Sequence, residues 1–281
     1  MNGFSNQRQG STESVRPTES VATEGRPNAA SHVPKVSVIM PAYNVAGKIV
    51  DTIRLTTKHL KQNGYRYEMV IVDDGSTDDT FTEATRLRDP HIRVVGYERN
   101  RGKGYAVRFG SRLVSGDFVV VMDSDGNITP DLIARYIGAL KDHDIAIASK
   151  WHPESRVSTP LMRRILSHSF HVLVVLLTGV RVSDTQCGFK VFRSGAFAKL
   201  ISLLAVKHYA FDVEVLTVAR LMNLRIAELP VRLRLSSHFS AKKVVRVLVD
   251  LLGISYRLHV IHWYQKNLKN LNATYRPIIR W

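Results

Sequence analysis

Five short, mainly apolar runs, each closed by a polar turn and separated from the next by a helix-length stretch, constrain this chain more than any other feature. They are Val36 to Met40, Tyr67 to Val72, Ile92 to Tyr97, Phe118 to Met122 and Ile145 to Ser149. Runs this short and this apolar read as strands buried on both faces. Between the first two, helical spacing over Ala46 to Gln62 predicts a helix that buries Ile49, Ile53, Leu55 and Leu60 and stops at Gly64. Ser76 or Thr77 is expected to cap a second helix running to Leu87. Further helices are expected up to about Val114 and from Pro130 to Lys141. Strands that alternate with helices predict an α/β fold with a mostly parallel central sheet and helices on each side.

In such sheets ligands bind beyond the carboxyl ends of the strands. Here those ends carry Pro41 and Tyr43, Asp73 and Asp74, and Asp123 and Asp125, so three polar clusters are expected to share one cleft. Asp123-Ser124-Asp125-Gly126 is the most telling, because two carboxylates one residue apart at a strand end can turn toward one hard cation. Mg²⁺ or Mn²⁺ takes oxygen ligands and commonly keeps positions for water and a substrate phosphate. The same four residues alone are also ordinary turn chemistry.

After Lys150 the alternation lapses. A loop to Thr159, a helix from Pro160 to Thr178, a loop and short strand from Asp184 to Phe192, helices at Ser194 to Leu204 and Phe211 to Met222, and a strand from Arg225 to Leu235 are expected. The apolar run Val172 to Leu177 is far shorter than the roughly 20 residues a membrane span needs. Ala241 to Tyr264 reads as an amphipathic helix with basic flanks and aromatic residues suited to a membrane interface, although core packing is an alternative. Charge favours the interface. The formal net charge is +16, and from Arg232 onward ten Lys or Arg stand against Asp250 alone. A patch of that kind attracts polyanions, either nucleic acid or an anionic membrane surface.

Residues 1–34, rich in small polar residues and lacking periodicity, are expected to form a disordered tail, with residues 35–238 as the folded domain and 239–281 as the basic helix and tail. No apolar leader opens the sequence. The single cysteine, Cys187, excludes an internal disulfide and reads as a small packed hydrophobe, and the histidines lack zinc-site spacing.

Taken in order, Pro41-Ala42-Tyr43-Asn44, Val72-Asp73-Asp74-Gly75-Ser76-Thr77-Asp78, Asn100-Arg101-Gly102-Lys103-Gly104 and Asp123-Ser124-Asp125-Gly126 resemble the family 2 inverting glycosyltransferases of the GT-A fold. Asp184-Thr185-Gln186-Cys187-Gly188-Phe189-Lys190 and Phe211-Asp212-Val213-Glu214 make the resemblance narrower. It points to dolichyl-phosphate and polyprenyl-phosphate hexosyltransferases, the glucosyl branch more than the mannosyl. The resemblance implies that Pro41, Tyr43, Val72 and Asp74 hold the nucleoside, with Lys103, Ser124 and Lys150 also on the nucleotide-sugar side. It implies Asp123, Asp125 and Asn127 as metal ligands, Asp125, Gln186, Asp212 and Glu214 as the catalytic set, and Arg234, Lys242 and Lys243 as candidates for the acceptor phosphate. Val45, Asn127 and Lys150 depart from residues common at these places, and Ser237 to Lys243 matches the usual phosphate motif only approximately.

The implied reaction moves a hexose, glucose from UDP-glucose first, to dolichyl or polyprenyl phosphate with inversion, using Mg²⁺ or Mn²⁺. A divalent ion and cationic side chains stabilise the charge that gathers on the leaving diphosphate. A hydroxyl acceptor needs a general base, whereas a lipid monophosphate is already anionic. Asp212 or Glu214 is therefore expected to orient groups and tune charge. A peripheral place on the cytoplasmic face of a membrane follows, with no nucleic-acid partner. The alternatives are a GDP-mannose-dependent mannosyl enzyme, a family 2 transferase with a glycolipid or polysaccharide acceptor, and a basic nucleic-acid-binding or lipid-binding scaffold without turnover.

Overall fold

Along β1 (Lys35–Ala42), Val36, Val38 and Met40 face one hydrophobic cluster and Ile39 the other, and the same alternation recurs along the strands beside it. A strand covered on both faces stays apolar throughout, which is why these runs lack a polar face. The structure, a computed structural model, describes residues 33–158, 160–234 and 241–274, with 163, 234, 241–243 and 272–274 described by backbone alone. The expected tail over 1–34 lies outside the described residues except for its last two.

The chain continues through α1 (Ile49–Gln62), β2 (Arg66–Asp73), α2 (Thr80–Thr85), β3 (Ile92–Gly96), α3 (Lys103–Gly110), β4 (Phe118–Met122), α4 (Ile133–Ala139) and β5 (Ile145–Ser149). Then come β6 (Arg156–Ser158), α5 (Leu161–Thr178), β7 (Phe189–Arg193), α6 (Ser194–Ile201), α7 (Phe211–Leu221), β8 (Ile226–Pro230), β9 (Arg232–Arg234), α8 (Ala241–His259) and α9 (Trp263–Thr274). One sheet has the order β3-β2-β1-β4-β7-β5-β8, and β6 pairs with β9 in a small second sheet. All neighbours in the large sheet run parallel except β7, which is antiparallel to both β4 and β5. Met122 pairs with Phe189, so the reversed strand starts where β4 ends. That reversal delivers the loop before β7 to the rim that carries the aspartates.

Several expectations need correction. Leu55 is 46% exposed, because α1 buries Ile49, Thr52, Ile53, Thr56 and Leu60, and position 55 lies off that stripe. Gly64 does end the helix, at φ +70°. The second helix starts at Thr80 and no side chain caps it; the Ser76 hydroxyl instead accepts from the backbone N–H of Asn44. The expected strand over 225–235 divides at Val231 between the two sheets, and the loop after Lys150 contains β6. The long terminal helix breaks after His259, with His262 in the left-handed region at φ 50°. Both pieces join the core, since Leu251, Ile254, Leu258 and Tyr264 are buried in the cluster that also holds α7.

Candidate active site at the carboxyl rim of the sheet

The loops after β1 and β2 are stitched together by side chains bonding to backbone. Asn44, at φ 50°, accepts from the N–H of Thr77 (2.8 Å), while Val45 N–H donates to the Thr80 hydroxyl (2.8 Å) and Ala46 N–H to Asp78 (3.1 Å). Short polar side chains that bond to nearby backbone are what hold such turns. Pro41 pairs with Val72, and the Ser124 hydroxyl donates to the Pro41 carbonyl (2.9 Å), so the ends of β1, β2 and β4 meet. Tyr43 stands exposed above them.

The two aspartates after β2 differ sharply. Asp74 is buried and both its oxygens are taken: Tyr97 donates its hydroxyl (2.7 Å), Asn100 its amide (2.9 Å), and Arg101 and Gly102 their backbone N–H groups (2.8 and 2.9 Å). It thereby fixes the loop that leads into α3. Asp73 accepts one bond, from the N–H of Ser76 (3.2 Å), and its other oxygen is buried with no hydrogen-bond partner among the described residues. A buried acceptor with unspent capacity is costly unless a ligand or water meets it.

Lys103 opens α3 beside this loop. Gly102, at φ +95°, lies so close to the next segment that a Cβ there would stand 2.5 Å from the Lys207 carbonyl oxygen and 2.3 Å from the His208 ring. Only glycine permits that approach. The Lys103 ammonium is then held between Asp123 (2.8 Å) and Asp212 (2.9 Å), and the other oxygen of Asp212 accepts from Lys190 (2.6 Å). Lys190 also donates to the Cys187 carbonyl (2.6 Å). The result is a row of alternating charge from Asp123, whose side chain is 39% exposed, to Lys190, at 3%. Burial raises the Asp123 carboxyl above its ordinary range, and the charges of Asp212 and Asp125 raise it further against the pull of Lys103. Burial also opposes ionisation of Asp212, but Lys103 and Lys190 outweigh it and hold that carboxyl low.

The loop before β7 rests against Asp123. Asp123 N–H donates to the Gly188 carbonyl (3.2 Å), and a Cβ at Gly188 would fall 1.7 Å from an Asp123 oxygen. Asp184 anchors that loop by accepting from Gln186 N–H (3.0 Å) and from the backbone N–H and ammonium of Lys150 (2.9 and 2.8 Å). Lys150 is therefore an ion-pair partner within the fold, and Gln186, partly exposed, follows in the loop that Asp184 holds. Cys187 is buried, which pushes its thiol up to about 12.

Asp125 accepts from the backbone N–H (3.0 Å) and side-chain amide (2.5 Å) of Asn127. Among the described residues no group of three or more His, Cys, Asp or Glu is arranged to hold a metal ion by itself. Two partly exposed carboxylates, Asp123 and Asp125, nonetheless suit a hard divalent ion that draws its remaining ligands from a diphosphate and water. Burial is the main reason the Asp123 carboxyl is raised, and the lesser part that comes from Asp212 and Asp125 is what such an ion would relieve.

Glu214, two residues beyond Asp212, serves another part of the molecule. It is fully buried and accepts from the N–H groups of Ala205 and Val206 (2.9 and 2.7 Å) and from the Tyr264 hydroxyl, with Arg257 3.6 Å away. The side chains of Arg234, Lys242 and Lys243 lie outside the described residues. Sequence reasoning placed the Cys187-Gly188-Phe189 loop on the sugar and acceptor side but gave no role to Lys190 or Asp184. One signal for Lys190 was present: in Phe-Lys-Val-Phe it occupies a strand position that alternation sends into the core, where a charge must be paired.

Comparison with known proteins bears on this geometry. The pattern of Glycosyl transferase family 2 matches residues 37–201. The dolichyl-phosphate beta-glucosyltransferases of Saccharomyces cerevisiae and Homo sapiens are 33% and 32% identical over 220 and 215 residues, in each case 70% of this chain and 66% of theirs. The chain thus spans just under two thirds of the length of these relatives. Among solved structures, glucosyl-3-phosphoglycerate synthase from Mycobacterium tuberculosis in complex with uridine diphosphate has a TM-score of 0.62 at 22% identity, covering 79% of this chain and 80% of that one. The same enzyme with Mn²⁺, UDP-glucose and glycerol 3-phosphate gives 0.61 at 20% identity, covering 79% of each chain. The folds are shared.

Proposed function

The chain belongs to glycosyl transferase family 2, and from that premise we propose that it transfers glucose from UDP-glucose to dolichyl phosphate, or a similar polyprenyl phosphate, with inversion at the sugar carbon. The observation that carries the reading is the Lys103–Asp123 ion pair at the rim where β1, β2 and β4 end, two residues before Asp125, in a chain similar to dolichyl-phosphate beta-glucosyltransferases. Pro41 and Tyr43 flank the nucleoside in this proposal, while Val72, fully buried in the core, and buried Asp73 support that rim from behind. Asp74 contributes by fixing the Asn100 to Gly102 loop. Asp123, Asp125 and the amide oxygen of Asn127 would hold Mg²⁺ or Mn²⁺. That ion, when bound, would neutralise charge on the departing diphosphate. Ser124 spaces the two carboxylates and ties them to β1, and Lys103 adds a fixed cation beside them. Gln186 and the Gly188 turn line the sugar side.

Asp212 has both oxygens bound by ammonium groups, which suits a positioning carboxylate more than a proton acceptor. A phosphate acceptor needs none removed near neutral pH. Arg234, Lys242 and Lys243 are proposed to attract that phosphate. The acceptor's lipid nature is supported by α5 and α8. Val245, Val249, Leu252 and Tyr256 recur along an exposed face of α8, opposite its buried Leu251, Ile254 and Leu258, and α5 likewise exposes Ile165, Val172 and Leu176. His259 of α8 lies 3.0 Å from the Leu177 carbonyl of α5, so these faces adjoin at one end. Among the described residues no helix is long and apolar enough to cross a membrane. An in-plane, peripheral attachment at the cytoplasmic face fits such faces.

The test is to incubate the full chain and Mn²⁺ with labelled UDP-glucose or GDP-mannose and vesicles containing dolichyl phosphate, then examine the lipid extract. Labelled glucosyl lipid is expected. Labelled mannosyl lipid alone would replace the donor assignment, and label in neither would overturn the acceptor assignment.

A further inference from the structure

Lys190 lies in the middle of the buried sheet, on a strand whose other residues from Phe189 to Phe192 are apolar. An ammonium there is costly unless its partners recover the lost hydration. The Cys187 carbonyl and one Asp212 oxygen, both at 2.6 Å, do so. A stabilising role alone would be met by an apolar residue in place of Lys190 and a neutral one in place of Asp212, since uncharged cores of equal volume are commonly no less stable. What the pair adds is control over Lys103. Asp212 divides its two oxygens between Lys190 and Lys103, and Lys103 divides its ammonium between Asp212 at 2.9 Å and Asp123 at 2.8 Å.

We infer that Lys190 is a positioning residue for donor binding: by occupying half of Asp212, it keeps the Lys103 ammonium shared with Asp123, balanced between a divalent ion and a diphosphate. Without the Lys190 charge, Asp212 would draw Lys103 to itself. Asp123 would then be freer to take a cation, while the site would lose positive charge toward phosphate. Binding of a bare divalent ion and of a metal-free diphosphate therefore change in opposite directions. A role confined to holding the fold together would weaken both.

The inference rests on the metal-diphosphate reading of Asp123, and the two are separable: binding of Mn²⁺ by the native chain tests that reading, whereas differences among variants test Lys190. Lys190→Met, Lys190→Arg and the double variant Lys190→Met with Asp212→Asn would be prepared as full chains and their folding checked by thermal unfolding. Mn²⁺ binding would be followed by the spin resonance of the free ion, and metal-free uridine diphosphate binding by calorimetry. Lys190→Met is expected to bind Mn²⁺ more tightly and uridine diphosphate more weakly, each on the order of tenfold for one charge acting at an effective dielectric near 20. Lys190→Arg should return both toward native values. The double variant removes equal and opposite charge and leaves Lys103 with Asp123 alone, so its Mn²⁺ affinity should fall below native. Should Lys190→Met fail to fold, the double variant decides. Parallel loss of both ligands in a folded Lys190→Met chain, or native Mn²⁺ affinity in the double variant, would overturn the inference.

Discussion

At Gly188 there is no room for a methyl group, because the Asp123 carboxylate already occupies its place. Gly188→Ala is expected to push that carboxylate from its lysine, at about 1–3 kcal/mol of stability for overpacking, and to weaken Mn²⁺ binding in the same titrations. Native Mn²⁺ affinity in that variant would show that the contact is tolerated. Asp125→Ala, in contrast, should abolish transfer while vesicle flotation stays unchanged; retained transfer would remove Asp125 from the metal site. A third expectation concerns pH. Burial alone would raise the Asp184 carboxyl, but Lys150 and the loop N–H groups overcome this and hold it below its ordinary 3.8. A depressed carboxylate stabilises the fold above its unfolded value and loses that contribution as pH falls through its folded value. The stability difference between the native chain and Asp184→Asn, read from urea midpoints, should therefore shrink as pH drops below 3.8. Asp123 and Asp125 could be singled out from sequence because their meaning is local, two carboxylates at a strand end. Lys190 and Asp212 could not be paired from sequence, since 22 residues separate them and only the fold joins them.

The helix α8 carries two apolar faces, and this decided how much of it was legible. Its sequence offered membrane contact and core packing as alternatives, but Leu251, Ile254 and Leu258 are buried while Val249 and Leu252 stay exposed. Periodicity shows that apolar faces exist and not which one finds a partner. The two faces should respond differently to substitution. Leu251→Ala is expected to cost about 2–5 kcal/mol, seen in urea unfolding. Val249→Glu with Leu252→Glu should leave stability within about 0.5 kcal/mol for each surface change yet release the protein from vesicles containing anionic lipid. Vesicle binding that survives the double change would remove α8 from the attachment.

Across the whole molecule, the parallel half from β3 to β4 follows directly from alternating strand and helix patterns. The other half does not, because a five-residue strand preceded by a long helix and loop gives no sign of its direction or its neighbours. Yet β7 joins the halves, lying between β4 and β5 although it follows β5 in the chain by 40 residues from Ser149 to Phe189. Synthesis from the amino end consequently makes β4 long before the strand that covers its edge. A chain halted at Ser158 would present β4 as an open edge with β5 unpaired, a template for sticking to other chains. Such a chain is expected to aggregate or occupy a chaperone, and one extended through Arg193 should be the first whose central strands resist protease.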